Sequence, residues 1–99
     1  MNKLRAIIVE DEAPARDLIK AFLKNHENIE LIGECDNGFD GVKDINDLKP
    51  DLVFLDIQMP KLSGFELIEL LDELPEIIFT TAFDQYAIKA FELSAVDYI

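Results

Sequence analysis

Leu52-Val53-Phe54-Leu55-Asp56, continued by Ile57-Gln58-Met59-Pro60-Lys61-Leu62-Ser63-Gly64, is the stretch around which the rest of the chain is read. Residues 52–55 are apolar without alternation, as a strand covered on both faces inside a parallel sheet requires. The run ends on an acid, and in open parallel sheets ligands gather at the carboxyl ends of strands. Ser63-Gly64-Phe65-Glu66 has the pattern of a capping box, in which the serine caps a helix start and the glutamate reaches back. Leu67, Ile68, Leu71 and Leu74 follow at helical spacing, with Phe65 near the start and Glu69, Asp72 and Glu73 mostly off that stripe. The stretch therefore reads as strand, polar loop, helix.

The same alternation extends to both sides. Upstream, Ala6-Ile7-Ile8-Val9 is a short apolar run, followed by Ala15, Leu18, Ile19, Phe22 and Leu23 at helical spacing, with Pro14 suited to the first turn. Ile29 to Cys35 reads as a more polar strand closed by the turn signal Asp36-Asn37-Gly38. Phe39, Val42 and Ile45 mark a second helix, which Lys49-Pro50-Asp51 ends. Downstream, Pro75 precedes the strand Ile77-Ile78-Phe79-Thr80-Thr81. Asp84 is placed to cap a fourth helix carrying Ala87, Ala90 and Phe91, and Val96 to Ile99 begins a fifth strand. Alternating β and α units with short loops imply right-handed crossovers and an α/β fold with a parallel sheet covered on both faces. Five strands but only four helices are expected, so the chain reads as truncated in or after the fifth strand, with its last helix missing.

Composition narrows the function. Ninety-nine residues, 49% of them apolar, make one globular domain over residues 1–99. A net charge of −12 argues against nucleic-acid or anionic-membrane binding by this segment, and is compatible with binding cations or a basic partner. No apolar run approaches the length of a membrane span, and no signal peptide is evident. A single cysteine, Cys35, rules out an internal disulfide and makes a cytoplasmic location the default. Cys35 itself reads as a small core residue, and His26 as a surface residue after the first helix.

Three strands end in reactive polar groups: Glu10-Asp11 after the first, Asp56 after the third, Thr80-Thr81 at the end of the fourth. Each alone could cap a helix or face water. Jointly, at three strand ends that the fold brings together, they form a candidate site. Converging carboxylates repel unless they share a cation, and oxygen-only donors suit Mg²⁺ or Mn²⁺.

Ile8-Val9-Glu10-Asp11-Glu12, Leu55-Asp56-Ile57-Gln58-Met59-Pro60-Lys61-Leu62-Ser63-Gly64 and Phe79-Thr80-Thr81-Ala82 resemble, in order, the three motifs of two-component response regulator receiver domains. The D-x-x-M-P-x-x-S-G segment is the most specific. Ala82-Phe83-Asp84-Gln85-Tyr86-Ala87, Ala90-Phe91 and Ala95-Val96-Asp97-Tyr98 further resemble regulators of the LytR/AlgR type, which join a receiver to a LytTR DNA-binding domain. The resemblance covers the whole chain and implies a flavodoxin-like doubly wound sheet of strand order 2-1-3-4-5.

It also implies roles. Asp56 would accept a phosphoryl group from a sensor histidine kinase. Mg²⁺ would be held by Asp11, Asp56 and the backbone carbonyl of Gln58, with Glu10 assisting through water. Thr81 would donate its hydroxyl to the phosphoryl oxygens; it is preferred to Thr80 because Ala82 follows. Tyr98 would be an aromatic switch. The expected module is not a turnover enzyme. Its partners are the kinase, an output domain in the same parent chain and a second copy in a homodimer. The family's lysine, in a Lys-Pro pair shortly after the position of Tyr98, has no counterpart up to Ile99.

Other classes fit less well. A phosphatase with an aspartyl-phosphate intermediate would carry Asp-x-Asp, and here Gln58 stands two residues past Asp56. A flavodoxin-like electron carrier would need a phosphate-cradling loop where Glu10-Asp11-Glu12 stands. A receiver fold serving only as a scaffold for protein contacts stays an alternative, and the intact acidic site argues against it.

Overall fold

Local chemistry sets the element boundaries. The computed structural model describes residues 3–80 together with the backbone of Asp97 and Tyr98. In chain order the elements are β1 (Leu4–Val9), α1 (Ala13–Leu23), β2 (Ile29–Cys35), α2 (Gly38–Leu48), β3 (Leu52–Leu55), α3 (Gly64–Glu69), β4 (Glu76–Phe79) and β5 (Asp97–Tyr98). Pro14 lies in the first turn of α1, where a missing N–H costs nothing. The Asn37 side chain caps α2 by accepting from the Asp40 N–H at 2.9 Å. At α3 the capping box is complete: Glu66 N–H donates to Ser63 Oγ at 3.2 Å, and Ser63 N–H to Glu66 Oε1 at 3.0 Å.

All the described strand pairs are parallel, in the order β2-β1-β3-β4-β5. Alternate strand residues feed two cores, one on each face. Ile7, Val9, Val53, Leu55, Ile77 and Phe79 pack with Ile45 of α2 and Leu67 of α3. Ala6, Ile8, Leu52 and Phe54 pack with Ile19 and Leu23 of α1. Every residue from Ala6 to Val9 and from Val53 to Leu55 is fully buried, as expected of strands sandwiched between helices. Each large apolar side chain so buried stabilises the fold by roughly 1.5–3 kcal/mol.

Three helical stripes differ from the sequence reading. In α2 the buried positions are Gly38, Gly41 and Ile45, while Phe39 is 58% exposed. The inward face is set by glycines: a β-carbon on Gly41 would meet Val9 Cγ1 at 2.9 Å, and one on Gly38 would meet Leu62 at the same distance. In α1, Ile19 and Leu23 are buried but Leu18 is 73% exposed and Phe22 is also exposed. Leu18, Ile19 and Phe22, with Ala15, Glu10 and Thr80, line a cleft of about 310 Å³. α3 stops at Glu69 instead of running to Leu74, which is exposed. Asn46 of α2 explains the stop. Its side chain accepts from Asp72 N–H at 2.9 Å and donates to the Leu70 carbonyl at 3.4 Å, so these backbone groups find a partner outside a helix.

The expected fourth helix, with Asp84, Ala87, Ala90 and Phe91, lies outside the described residues, as do Thr81 and the side chain of Tyr98. No helix among the described residues is long and apolar enough to cross a membrane.

Candidate functional site

Backbone hydrogen bonds continue past the strands and set their ends side by side. Glu10 N–H donates to Cys35 O, Asp56 N–H to Val9 O and Thr80 N–H to Leu55 O, each at 3.0 Å. Glu10, Asp56 and Thr80 therefore leave the sheet at one edge, with Asp11 in the turn that leads to α1. Glu10 is 6% exposed and Asp56 is 8% exposed, the only buried charged residues among those described, and Asp11 is half-buried.

Carboxylate oxygens of Glu10, Asp11 and Asp56 all lie within 4.8 Å of one another. At that separation, and at an effective dielectric near 20, two unit charges repel by roughly 3.5 kcal/mol. Burial and a side-chain hydrogen bond to Asp56, supplemented by Asp11, push the Glu10 carboxyl up to about 8, against a slight downward pull from the Glu12 N–H. Burial also raises Asp56, while its hydrogen bonds with Glu10 and with the Gln58 N–H, the latter 3.2 Å from Oδ1, favour its charged form. Without a cation, burial and the crowding of carboxylates thus bias the Glu10–Asp56 pair toward sharing a proton.

The loop after Asp56 is tethered. Ile57, Met59 and Leu62 are buried in the α2–α3 core. Gly64 N–H donates to Ile57 O and Leu62 N–H to Pro60 O, both at 2.8 Å. Lys61 takes a left-handed conformation, φ 69°, to turn the chain between them. The sequence reading missed this anchoring, although the alternation of Ile57, Met59 and Leu62 with polar residues was a visible signal.

A profile of the response regulator receiver domain family matches residues 6–99. The chain belongs to that family. The receiver is 48% identical over 98 residues to the transcriptional regulatory protein BtsR of Escherichia coli (strain K12), covering 97% of this chain and 41% of that protein. A response regulatory protein of Vibrio cholerae serotype O1 is 50% identical over the same length and share. The receiver thus spans less than half the length of the curated relatives it matches. Among solved structures it superposes on the response regulatory domain of mrkE from Klebsiella pneumoniae with TM-score 0.86, 39% identity and coverage of 97% of this chain and 81% of that one. The response regulator domain of Thermotoga maritima CheB gives TM-score 0.87 at 27% identity, covering 99% and 78%. The flavodoxin-like receiver fold is thereby established.

Of the receiver's sequence-predicted site residues, the fold assembles Glu10, Asp11 and Asp56, and it puts Gln58 in the adjoining turn with its N–H on the Asp56 carboxylate. Beside this cluster the Thr80 hydroxyl is buried, with no hydrogen-bond partner among the described residues. Cys35 ends β2 behind the site. Burial, with the Asp44 carboxylate accepting from Sγ at 3.2 Å, pushes its thiol up to about 12.

Proposed function

We propose that this receiver accepts a phosphoryl group on Asp56 from a phosphohistidine of a sensor histidine kinase and thereby switches an output domain in its parent protein. One observation carries the reading. Asp56 is a buried carboxylate at the end of a central strand, with two further carboxylates within 4.8 Å, in a chain of the receiver family.

The donor set fits a hard divalent cation. Three carboxylates converge at a sheet edge, all oxygen donors, and among the described residues no ion pair neutralises them. Asp11, Asp56 and the Gln58 carbonyl would hold Mg²⁺, or Mn²⁺, with Glu10 assisting. When bound, the cation supplies charge neutralisation between the acceptor carboxylate and the phosphoryl oxygens.

The protein's own groups do the rest. An Asp56 carboxylate oxygen attacks phosphorus, the N–P bond of the phosphohistidine breaks, and the imidazole leaves with the bonding electron pair and takes a proton from solvent. The Gln58 N–H and the tethered loop hold the attacking carboxylate in place. Thr81 would donate to a phosphoryl oxygen, and Tyr98 would turn with it. The event is a stoichiometric switch, with slow self-dephosphorylation in place of turnover.

The relatives named as transcriptional regulators, longer than this chain, support a DNA-binding output domain, and the Ala82–Tyr98 segment favours one of the LytTR type. A cytoplasmic location and self-association of the phosphorylated form complete the reading. To test it, the intact protein is incubated with acetyl phosphate and Mg²⁺ and weighed. Addition of one phosphoryl group, abolished by Asp56→Asn and by chelation, is expected. Undiminished labelling of Asp56→Asn overturns the assignment.

A further inference from the structure

Arg16 lies in the second turn of α1 and holds two things at once. Its Nη1 donates to the backbone carbonyl of Glu10 at 2.9 Å, and its Nε donates to Glu34 Oε1 at 3.1 Å. Glu34, near the end of β2, is also held by Lys20 Nζ, at 3.2 Å from Oε1 and 3.1 Å from Oε2. The guanidinium is largely shielded, with 18% of the side chain exposed.

The bond to Glu10 falls at a particular place in the chain. The Glu10 N–H still belongs to the sheet, given to Cys35 O, but its carbonyl opens the turn that carries Asp11 into α1. That carbonyl belongs to the peptide joining Glu10 to Asp11, so its orientation fixes where the Asp11 side chain departs. A planar guanidinium with several donors in a fixed fork can hold it and a carboxylate together; a single ammonium cannot present the same pair of directions.

We propose that Arg16 is a positioning residue for the acidic turn, bracing the Glu10–Asp11 peptide against β2 so that the cluster is arranged for a cation. The inference rests on the cation reading above. Two magnitudes separate it from a merely structural role. Partly exposed ion pairs of the Arg16–Glu34 kind contribute little to stability. Loss of a hydrogen-bonding partner behind a metal ligand typically lowers metal affinity by about 10–100-fold. Arg16 should therefore matter much more to Mg²⁺ affinity than to folding.

The test is calorimetric titration of Mg²⁺ into the intact protein, for wild type, Arg16→Ala, Arg16→Lys, Glu34→Gln and Asp11→Asn, with melting temperatures taken without Mg²⁺. Arg16→Ala should raise the Mg²⁺ Kd by roughly tenfold with little change in melting temperature. Arg16→Lys should recover part of the affinity, and Glu34→Gln should lose less because the bond to Glu10 remains. A wild-type Kd in Arg16→Ala, or losses that follow melting temperature across the variants, overturns the proposal. Should Arg16→Ala fail to fold, Arg16→Lys and Glu34→Gln decide on the same criterion. If wild type and Asp11→Asn respond alike to Mg²⁺, the cation reading has failed instead. Hydrogen exchange of the Asp11 and Glu12 amides without Mg²⁺ then judges the brace: unchanged exchange in Arg16→Lys and Arg16→Ala overturns it.

Discussion

A β-carbon on Gly64 would stand 2.6 Å from the carbonyl oxygen of Asp56 and 2.9 Å from the Ile57 Cα. Both neighbours are backbone, so neither can swing aside. The start of α3 is thus pressed directly against the peptide that carries Asp56. Gly64→Ala must push the loop away from the strand end, and we expect a loss of about 2–3 kcal/mol. Urea unfolding measures the stability, and the Gln58 amide shift reports whether its bond to the Asp56 carboxylate has opened. A neutral substitution would show that the helix start can move freely.

The acidic cluster gives stability a pH dependence. In the folded state the Glu10 carboxyl is pushed up to about 8 by burial and its carboxylate neighbours, against an unfolded reference of 4.5. Between these limits the native state binds more protons than the unfolded chain, so stability falls as pH rises. The contribution is complete below about 4.5 and is lost through about 8. The slope is at most about 1.4 kcal/mol per pH unit for one proton. Glu10→Gln should flatten it, and saturating Mg²⁺ should oppose it by favouring ionised carboxylates. Urea midpoints across this range, with and without Mg²⁺, provide the check.

Among the described residues two lysines occupy left-handed backbone, Lys49 at φ 48° after α2 and Lys61 at φ 69° in the Asp56 loop. Side chains with a β-carbon are strained there and glycine is not. Lys61→Gly and Lys49→Gly should each raise stability by about 0.5–1 kcal/mol. For Lys49 the ion pair given up, to Glu73 at 4.0 Å, is exposed on both sides and worth little. Thermal melts of the two variants test this.

The Cys35 thiol should be slow to react. Its burial, then its carboxylate partner, hold it up at about 12 rather than 9.0, which lowers the thiolate fraction roughly a thousandfold. Iodoacetamide should label it much faster in urea than in the native state. Asp44→Asn should speed native labelling, because a neutral amide no longer disfavours the thiolate. Equal native and denatured rates would contradict the placement.

The order of strands and helices was legible in sequence because its signals are local. Residues 52–55 declare a doubly covered strand, Ser63 and Glu66 declare a helix start, and Pro14 marks another, each through neighbours within a turn or two. Glu10, Asp11 and Asp56 could be selected as candidates for the same reason, since each follows an apolar run. The inward face of α2 was not legible, because Gly38 and Gly41 carry no hydrophobic signal and are fixed by what Leu62 and Val9 leave them. The end of α3 escaped too, since Asn46, on another helix, takes up the backbone groups that would have extended it. Most of all, the raised Glu10 carboxyl and the grip of Arg16 on its carbonyl depend on groups that only folding brings within a few ångströms. Hydrophobic period and capping are short-range properties of a chain. Carboxylate repulsion, desolvation and bracing exist only between residues that the sheet has placed side by side.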